Sequence, residues 1–129
     1  MLKQLFFLLS SAIFLVSCEE ILEVQDISDQ QVTLLAPTDQ SVVTDSLVNF
    51  NWNGVNAADA YLIQIATPNF QSASQILLDS TIVIDSTFIG TRISKQLGNS
   101  SYEWRVKALN SDFETDFSIS GFTVDASSN

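Results

Sequence analysis

The sequence contains few residues of the kinds that carry out catalysis or bind metal ions. Among its 129 residues there is no histidine and only one cysteine, Cys18, whereas fifteen residues are acidic and five are basic. Without histidine the chain lacks the commonest general base and metal ligand. A single cysteine cannot form an intramolecular disulfide. The chemistry left to this chain is therefore that of carboxylates and of one thiol.

Three carboxylates occur at every second position near the C-terminus: Asp112, Glu114 and Asp116. Oxygen-rich loops bind calcium, but the glycine and the terminal bidentate glutamate of a calcium loop are missing here. We therefore expect a solvated loop, no metal site and no cofactor. Phe113 and Phe117 lie beside these acids and leave two alternatives open. They form an exposed aromatic contact for a sugar or a protein, or they cap the core.

The charge balance excludes some classes of function. A net charge of −10 argues against binding nucleic acid, because lysine and arginine must neutralise the phosphates. Paired carboxylates can act as acid and base in a hydrolase. Here, however, the acids fall on predicted turns and outward strand faces, and no glycine-rich phosphate loop is present. We expect a protein that is not an enzyme.

The position of Cys18 suggests a covalent modification. It follows Lys3 and an almost wholly apolar run over residues 5–16, which is too short to cross a bilayer comfortably and is typical of a secretory signal peptide. The run ends in Leu15-Val16-Ser17-Cys18, which resembles the lipobox of bacterial lipoproteins. The resemblance implies that a diacylglycerol is attached to the Cys18 sulfur, that the chain is cleaved between Ser17 and Cys18, and that the freed amine is acylated with a chain such as palmitate. The alternatives are a buried N-terminal helix and a soluble secreted protein with an incidental thiol.

The residues after the cysteine bear on its destination. Glu19 and Glu20 follow directly. In typical Gram-negative lipoproteins an aspartate at the first of these positions retains the protein in the inner membrane, so a glutamate there implies the outer membrane. Acidic residues here also resemble the surface-export signal of Bacteroidota-type lipoproteins, which leaves both faces of that membrane open. We predict that residues 18–31 form a mostly disordered acidic tether. Alternatively, a short helical turn packs against the membrane or the domain through Ile21, Leu22 and Val24.

The remainder of the chain has the pattern of a β protein. Segment 47–53 alternates strictly, with Val48, Phe50 and Trp52 on one face and asparagines on the other. Further short runs rich in β-branched and aromatic residues, separated by turn residues, occupy 32–37, 61–67, 75–79, 81–85, 87–93, 102–109 and 122–125. Gly121 is predicted to mark a bulge, because Phe117 and Ile119 are out of phase with Phe122. The pattern predicts an all-β fold, a seven-stranded antiparallel β-sandwich that follows a signal helix and the tether.

One segment resembles a known module. Residues 97–108, LGNSSYEWRVKA, resemble fibronectin type III and related immunoglobulin-like domains in placing a leucine and a turn before a tyrosine and alternate inward residues. The resemblance covers residues 32–125 and looks especially like modules of starch-utilisation outer-membrane lipoproteins. It implies that Tyr102 is a tyrosine corner, whose hydroxyl bonds to upstream backbone. It also places Trp52, Tyr61 and Trp104 in the core.

Three tripeptides resemble O-glycosylation sites of exported Bacteroidota-type proteins. They begin Asp45-Ser46, Asp79-Ser80 and Asp85-Ser86. The resemblance implies sugar on Ser46, Ser80 or Ser86. The alternative is that these Asp-Ser pairs make turns through side-chain bonds to backbone.

The sequence thus predicts four parts: a lipoprotein signal peptide (1–17), a lipidated cysteine with its acidic tether (18–31), a fibronectin type III-like sandwich (32–125) and a tail (126–129). The expected function is that of a non-catalytic, lipid-anchored binding or adhesion module of the cell envelope. Its partners would be the membrane, through the lipid, and a glycan or an envelope protein. The first alternative is a structural subunit of an outer-membrane or polysaccharide-uptake complex, and the second is a hydrolase.

Overall fold

The structure, a computed structural model, describes residues 23–85 and 91–128 and is all-β. The predicted signal helix lies outside the described residues. Within them no helix is long and apolar enough to cross a membrane. The described residues form eight strands: β1 (Leu34–Ala36), β2 (Ser41–Val43), β3 (Leu47–Trp52), β4 (Ala60–Thr67), β5 (Gln75–Val83), β6 (Arg92–Gln96), β7 (Ser100–Leu109) and β8 (Ser118–Val124). A short 3-10 helix, Ala126–Ser128, follows in the predicted tail.

The strands form two sheets. One has three strands in the order β1-β3-β6, and the other has five in the order β2-β8-β7-β4-β5. Neighbouring strands are antiparallel except β2 and β8, which run parallel. The prediction of seven antiparallel strands is therefore wrong for the described residues in its count and in one pairing. β2 has three residues, too few to show an alternating pattern, and β5 is continuous where the sequence suggested separate runs.

The core lies between the two sheets and is built by the inward positions of β3, β4 and β7. The structure buries all four aromatic residues proposed for it, since Trp52, Tyr61, Tyr102 and Trp104 are at most 6% exposed. Trp52 packs edge-to-face on Tyr61 and tilted against Trp104, with 6.4 Å between the centroids of the two indoles, and Tyr102 stacks on Phe122. Such packing adds to the free energy that comes from burial of the ring surfaces.

The pairing of β7 with β8 shows which side chains of β8 point into the core and which point outward. It runs without interruption from Ser100 opposite Val124 to Val106 opposite Ser118, so the predicted bulge at Gly121 is absent. Phe122 and Val124 point inward. Ile119 lies on the outer face of the five-stranded sheet, opposite Arg105, and is 50% exposed. Ile119 is out of phase with Phe122 because β8 is a regular strand that carries apolar residues on both of its faces.

The segment before β1 packs against the domain. Ile27 is fully buried and belongs to the same core cluster as Val55 and Trp52. A turn positions it: Asp26 Oδ1 accepts hydrogen bonds from the backbone N–H and the hydroxyl of Ser28. These bonds hold the pKa of Asp26 below its ordinary value. This differs from the prediction of a free tether through residue 31, because one apolar side chain fills the end of the sandwich.

The loops fall at two ends of the sandwich. We call the end where residues 23–31 join the domain the entry end, which also carries loops 53–59 and 110–117. The opposite, far end carries loops 44–46, 68–74 and 97–99 and the 3-10 helix.

Candidate functional site

The loop 110–117 is organised by one asparagine. The side-chain oxygen of Asn110 accepts hydrogen bonds from the backbone N–H groups of Asp112 and Phe113, at 3.1 and 2.8 Å. Its amide nitrogen donates to the carbonyl oxygens of Gln25 (2.8 Å) and Ala57 (3.3 Å). Asn110 therefore ties three segments of the entry end together, and the chain enters the domain directly beside this loop.

A buried threonine supports the other side of the loop. Thr115 is 2% exposed. Its hydroxyl oxygen accepts the backbone N–H of Ala108 at 3.0 Å and donates to the carbonyl oxygen of Asp116 at 2.9 Å. The side chain thus satisfies a buried backbone donor at the point where β7 turns away.

The three carboxylates of the loop do not converge. Glu114 pairs with Lys107 Nζ at 3.1 Å on the side of the sheet, whereas Asp112 and Asp116 are exposed. No group of three or more potential metal ligands occurs in the described ranges 23–85 and 91–128. A cavity of about 260 Å³ lies against residues 109–114. The loop is held by hydrogen bonds to its own backbone, with its acids directed apart.

The two phenylalanines of the predicted ligand loop have separate roles. Phe113 packs against the core. Phe117 lies on the outer face of the five-stranded sheet, where its ring contacts two cations. The guanidinium carbon of Arg105 is 4.2 Å from the ring centroid, and Lys107 Nζ is 4.9 Å away. Phe113 therefore follows the alternative in which it caps the core, whereas Phe117 is half-buried and packs on two cations of the sheet face.

Arg105 is held between two aromatic rings. Besides its contact with Phe117, its guanidinium carbon lies 4.0 Å from the ring centroid of Phe70, which comes from the loop between β4 and β5. Its Nε donates to Gln64 Oε1 at 2.8 Å. We call Phe70, Arg105, Phe117 and Lys107 the outer-face cluster. The alternation over residues 102–108 indicates that Arg105 and Lys107 point outward, but nothing in the sequence indicates that Phe70 joins them.

Two tyrosine hydroxyls tie the core to the loops. The Tyr102 hydroxyl donates to the carbonyl oxygen of Gly98 at 2.7 Å, which is the geometry of a tyrosine corner. Burial raises the pKa of Tyr102 above its ordinary value of 10.0. The Tyr61 hydroxyl oxygen accepts the buried backbone N–H of Val55 at 2.8 Å. Both hydroxyls have structural partners.

The candidate glycosylation sites lie in different settings. Ser46 is half-buried and its hydroxyl oxygen accepts the side-chain amide of Gln96, while Asp45 accepts the backbone N–H of Leu47 in a local turn. Ser80 is half-buried within β5, opposite Ile63. Ser86 and the proposed lipidation residues Ser17 and Cys18 lie outside the described residues.

Comparison with known proteins identifies a likeness of fold. No protein-family model matches the chain, and no curated protein matches it. A crystal structure of FN3tt matches it with a TM-score of 0.50 and 16% sequence identity, covering 72% of this chain and 92% of that one. The two-sheet arrangement of this chain is thus that of a fibronectin type III-like β-sandwich.

Proposed function

We propose that the chain is a non-catalytic, lipid-anchored module of the cell envelope that presents one β-sandwich for binding. The observation that carries the proposal is the placement of the only cysteine, Cys18, at the end of an apolar run and directly after Leu15-Val16-Ser17. Acyl chains on Cys18 would fasten the chain to a membrane, because each buried methylene contributes about 0.8 kcal/mol and two chains hold durably. Glu19 in place of an aspartate favours the outer membrane.

The structure supports a defined orientation for such an anchored domain. The carbonyl of Gln25 is bonded to the entry end, and seven residue steps separate it from Cys18. Fully extended, these steps span at most about 25 Å. The entry end, with loop 110–117, would therefore lie near the bilayer. The outer sheet faces and the far-end loops would be the surfaces open to a partner.

Charge at the entry end also suits this arrangement. After removal of residues 1–17 the chain would carry four basic and fifteen acidic residues, a net charge of −11. Asp112 and Asp116 are exposed on the loop that would face the lipid. Acidic side chains are repelled by the anionic surface of a membrane. The lipid would hold the domain close to the membrane, and the negative charge of the domain would keep the domain from lying flat on the membrane surface.

A second candidate function, a subunit held in an envelope complex, is favoured by β5. This nine-residue strand is the edge of the five-stranded sheet, and it exposes Ile76 (50%) and Val83 (62%). A long apolar edge strand is a template for pairing with another chain. A stoichiometric partner in a pull-down, lost with Ile76→Lys and Val83→Lys but kept with Leu35→Lys on the other sheet, would support this candidate. A partner that all variants retain would contradict it.

Metabolic labelling with an alkyne fatty acid tests the main proposal. The wild-type chain should take up label, and Cys18→Ala should take up none. A matched control, Cys18→Ala combined with Ser111→Cys, restores one thiol on an exposed loop and should stay unlabelled. An unlabelled wild-type chain, or equal labelling of Cys18→Ala, would refute lipidation.

A further inference from the structure

The guanidinium of Arg105 is fixed in place yet incompletely bonded. Two rings hold it, with centroids 4.0 and 4.2 Å from its central carbon, and Nε donates to Gln64. Gln64 is itself fixed, because its amide nitrogen donates to Asp79 Oδ1 at 3.1 Å. Among the described residues, neither terminal Nη group has a hydrogen-bond partner, and no carboxylate lies within salt-bridge distance. The two Nη groups can therefore donate hydrogen bonds to an acceptor on a bound ligand.

Arg105 makes no ion pair among the described residues, although Asp79 and Glu103 each bond to one of its neighbours. Fifteen acidic residues face five basic ones in the whole sequence, and Lys107, two positions along β7, has Glu114 as its partner. A guanidinium edge presents two parallel N–H donors, whose geometry matches a carboxylate. Contacts with two rings limit its rotamers, so less entropy is lost when a ligand binds. The arrangement is that of a preorganised carboxylate receptor.

The surroundings of Arg105 indicate what carries the carboxylate. Phe70 and Phe117 each contact the guanidinium. Polar side chains bond to its neighbours: Asp79 to Gln64, and Glu103 to the backbone N–H of Phe70. Protein interfaces are enriched in aromatic residues and arginine but depleted of lysine, glutamate and aspartate, which Lys107, Glu103 and Asp79 supply here. Each ring turns one face to the guanidinium, and its positively polarised edge suits the oxygens of a sugar ring. Rings, a cation and hydrogen-bonding groups together suit a saccharide better than a protein surface.

We infer that the outer-face cluster binds a saccharide that carries a carboxylate, with the Arg105 Nη groups as the carboxylate donors and Phe70 and Phe117 beside the sugar. The net charge of −10 repels polyanions, so a uronic acid flanked by neutral sugars fits better than a run of uronates. This inference rests on the proposed function in taking the domain as a binding module, but it does not depend on the lipid.

The test is a binding titration by NMR. The full chain is expressed with Cys18→Ser, so the result is independent of lipidation. The probes are an aldobiouronic acid and the neutral disaccharide of the same linkage. We expect the acid to bind at least tenfold more tightly, and to shift the side-chain amide signals of Gln64. Arg105→Gln should abolish the preference for the acid. Arg105→Lys, which keeps the positive charge but lacks the two parallel N–H donors, should reduce this preference.

The matched control is Arg92→Gln, which removes one positive charge from the three-stranded sheet and should leave the preference intact. Thermal unfolding of each variant checks that the fold is kept. If Arg105→Gln does not fold, Phe70→Ala takes its place and should weaken binding of the acid. Equal binding of both disaccharides, or equal loss with Arg92→Gln, would overturn the inference. So would binding of an acetylated glutamate peptide at Arg105 without binding of either sugar.

Discussion

Replacing Ile27 with alanine tests whether the segment before β1 is part of the folded domain. Ile27 is 0% exposed and packs in the core cluster at the entry end. A residue in a free tether would contribute nothing to the stability of the sandwich. The substitution therefore separates a structural segment from a linker.

The expected loss follows from the atoms removed. Ile27→Ala deletes three carbons, which corresponds to about 2.4 kcal/mol of transfer free energy at 0.8 kcal/mol each. The cavity left behind adds to this, and buried Ile→Ala substitutions cost about 2–5 kcal/mol. We expect the free energy of unfolding to fall by about 3 kcal/mol. This is a large part of the roughly 5–15 kcal/mol typical of a domain.

Urea denaturation followed by tryptophan fluorescence measures the change, because Trp52 and Trp104 are both buried. The midpoint should fall by roughly 1–3 M for the usual range of slopes. The control is Ile76→Ala, the same substitution at a residue that is 50% exposed, which should change stability by less than about 0.5 kcal/mol. Equal, small effects of both substitutions would refute the packing of this segment.

Three further predictions concern the loops and the proposed orientation. Tyr102→Phe removes the hydroxyl bonded to a backbone carbonyl and should cost about 1 kcal/mol at pH 7. Because the folded-state pKa of Tyr102 is raised above 10.0, the stabilisation is present below pH 10 and is lost as the pH rises through the raised value. Urea titrations between pH 7 and 11 should show the gap between wild type and variant shrinking, and a constant gap would contradict this. Thr115→Val leaves the buried N–H of Ala108 without an acceptor and should cost about 1–3 kcal/mol in the same assay; no loss would contradict the assigned role. In lipid vesicles, a fluorophore on Ser111→Cys at the entry end should be quenched more by a headgroup quencher than one on Ser72→Cys at the far end, and the reverse order would refute the orientation.

The strands that sequence reasoning located best are those with long, regular alternation. In β3, β4 and β7 every second side chain is buried, and large aromatic residues mark the inward face, so Trp52, Tyr61 and Trp104 identified the core. β2 has three residues and depends on pairing with β8. The sequence over β5 has polar residues at its centre, which suggested a break, because an edge strand is only half-buried.

The features that the sequence did not reveal depend on distant contacts. Ile27 is a single apolar residue among polar neighbours, and its burial follows from the space left at the end of the sandwich. Phe70 meets Arg105 only because β4 pairs with β7, which brings a loop residue across the outer face. Phe117 was predicted to lie in a binding loop, and its proximity in sequence to the acids concealed its contact with Arg105. Periodicity reports which face a residue occupies, but it does not report which loop covers that face.

The central claim, an envelope module fastened through Cys18, is tested most directly by the intact mass of the chain extracted from membranes. The account predicts a polypeptide that begins at Cys18, heavier than residues 18–129 by a diacylglycerol, with or without an amide-linked acyl chain. The mass of all 129 residues, or of residues 18–129 without added lipid, would contradict it.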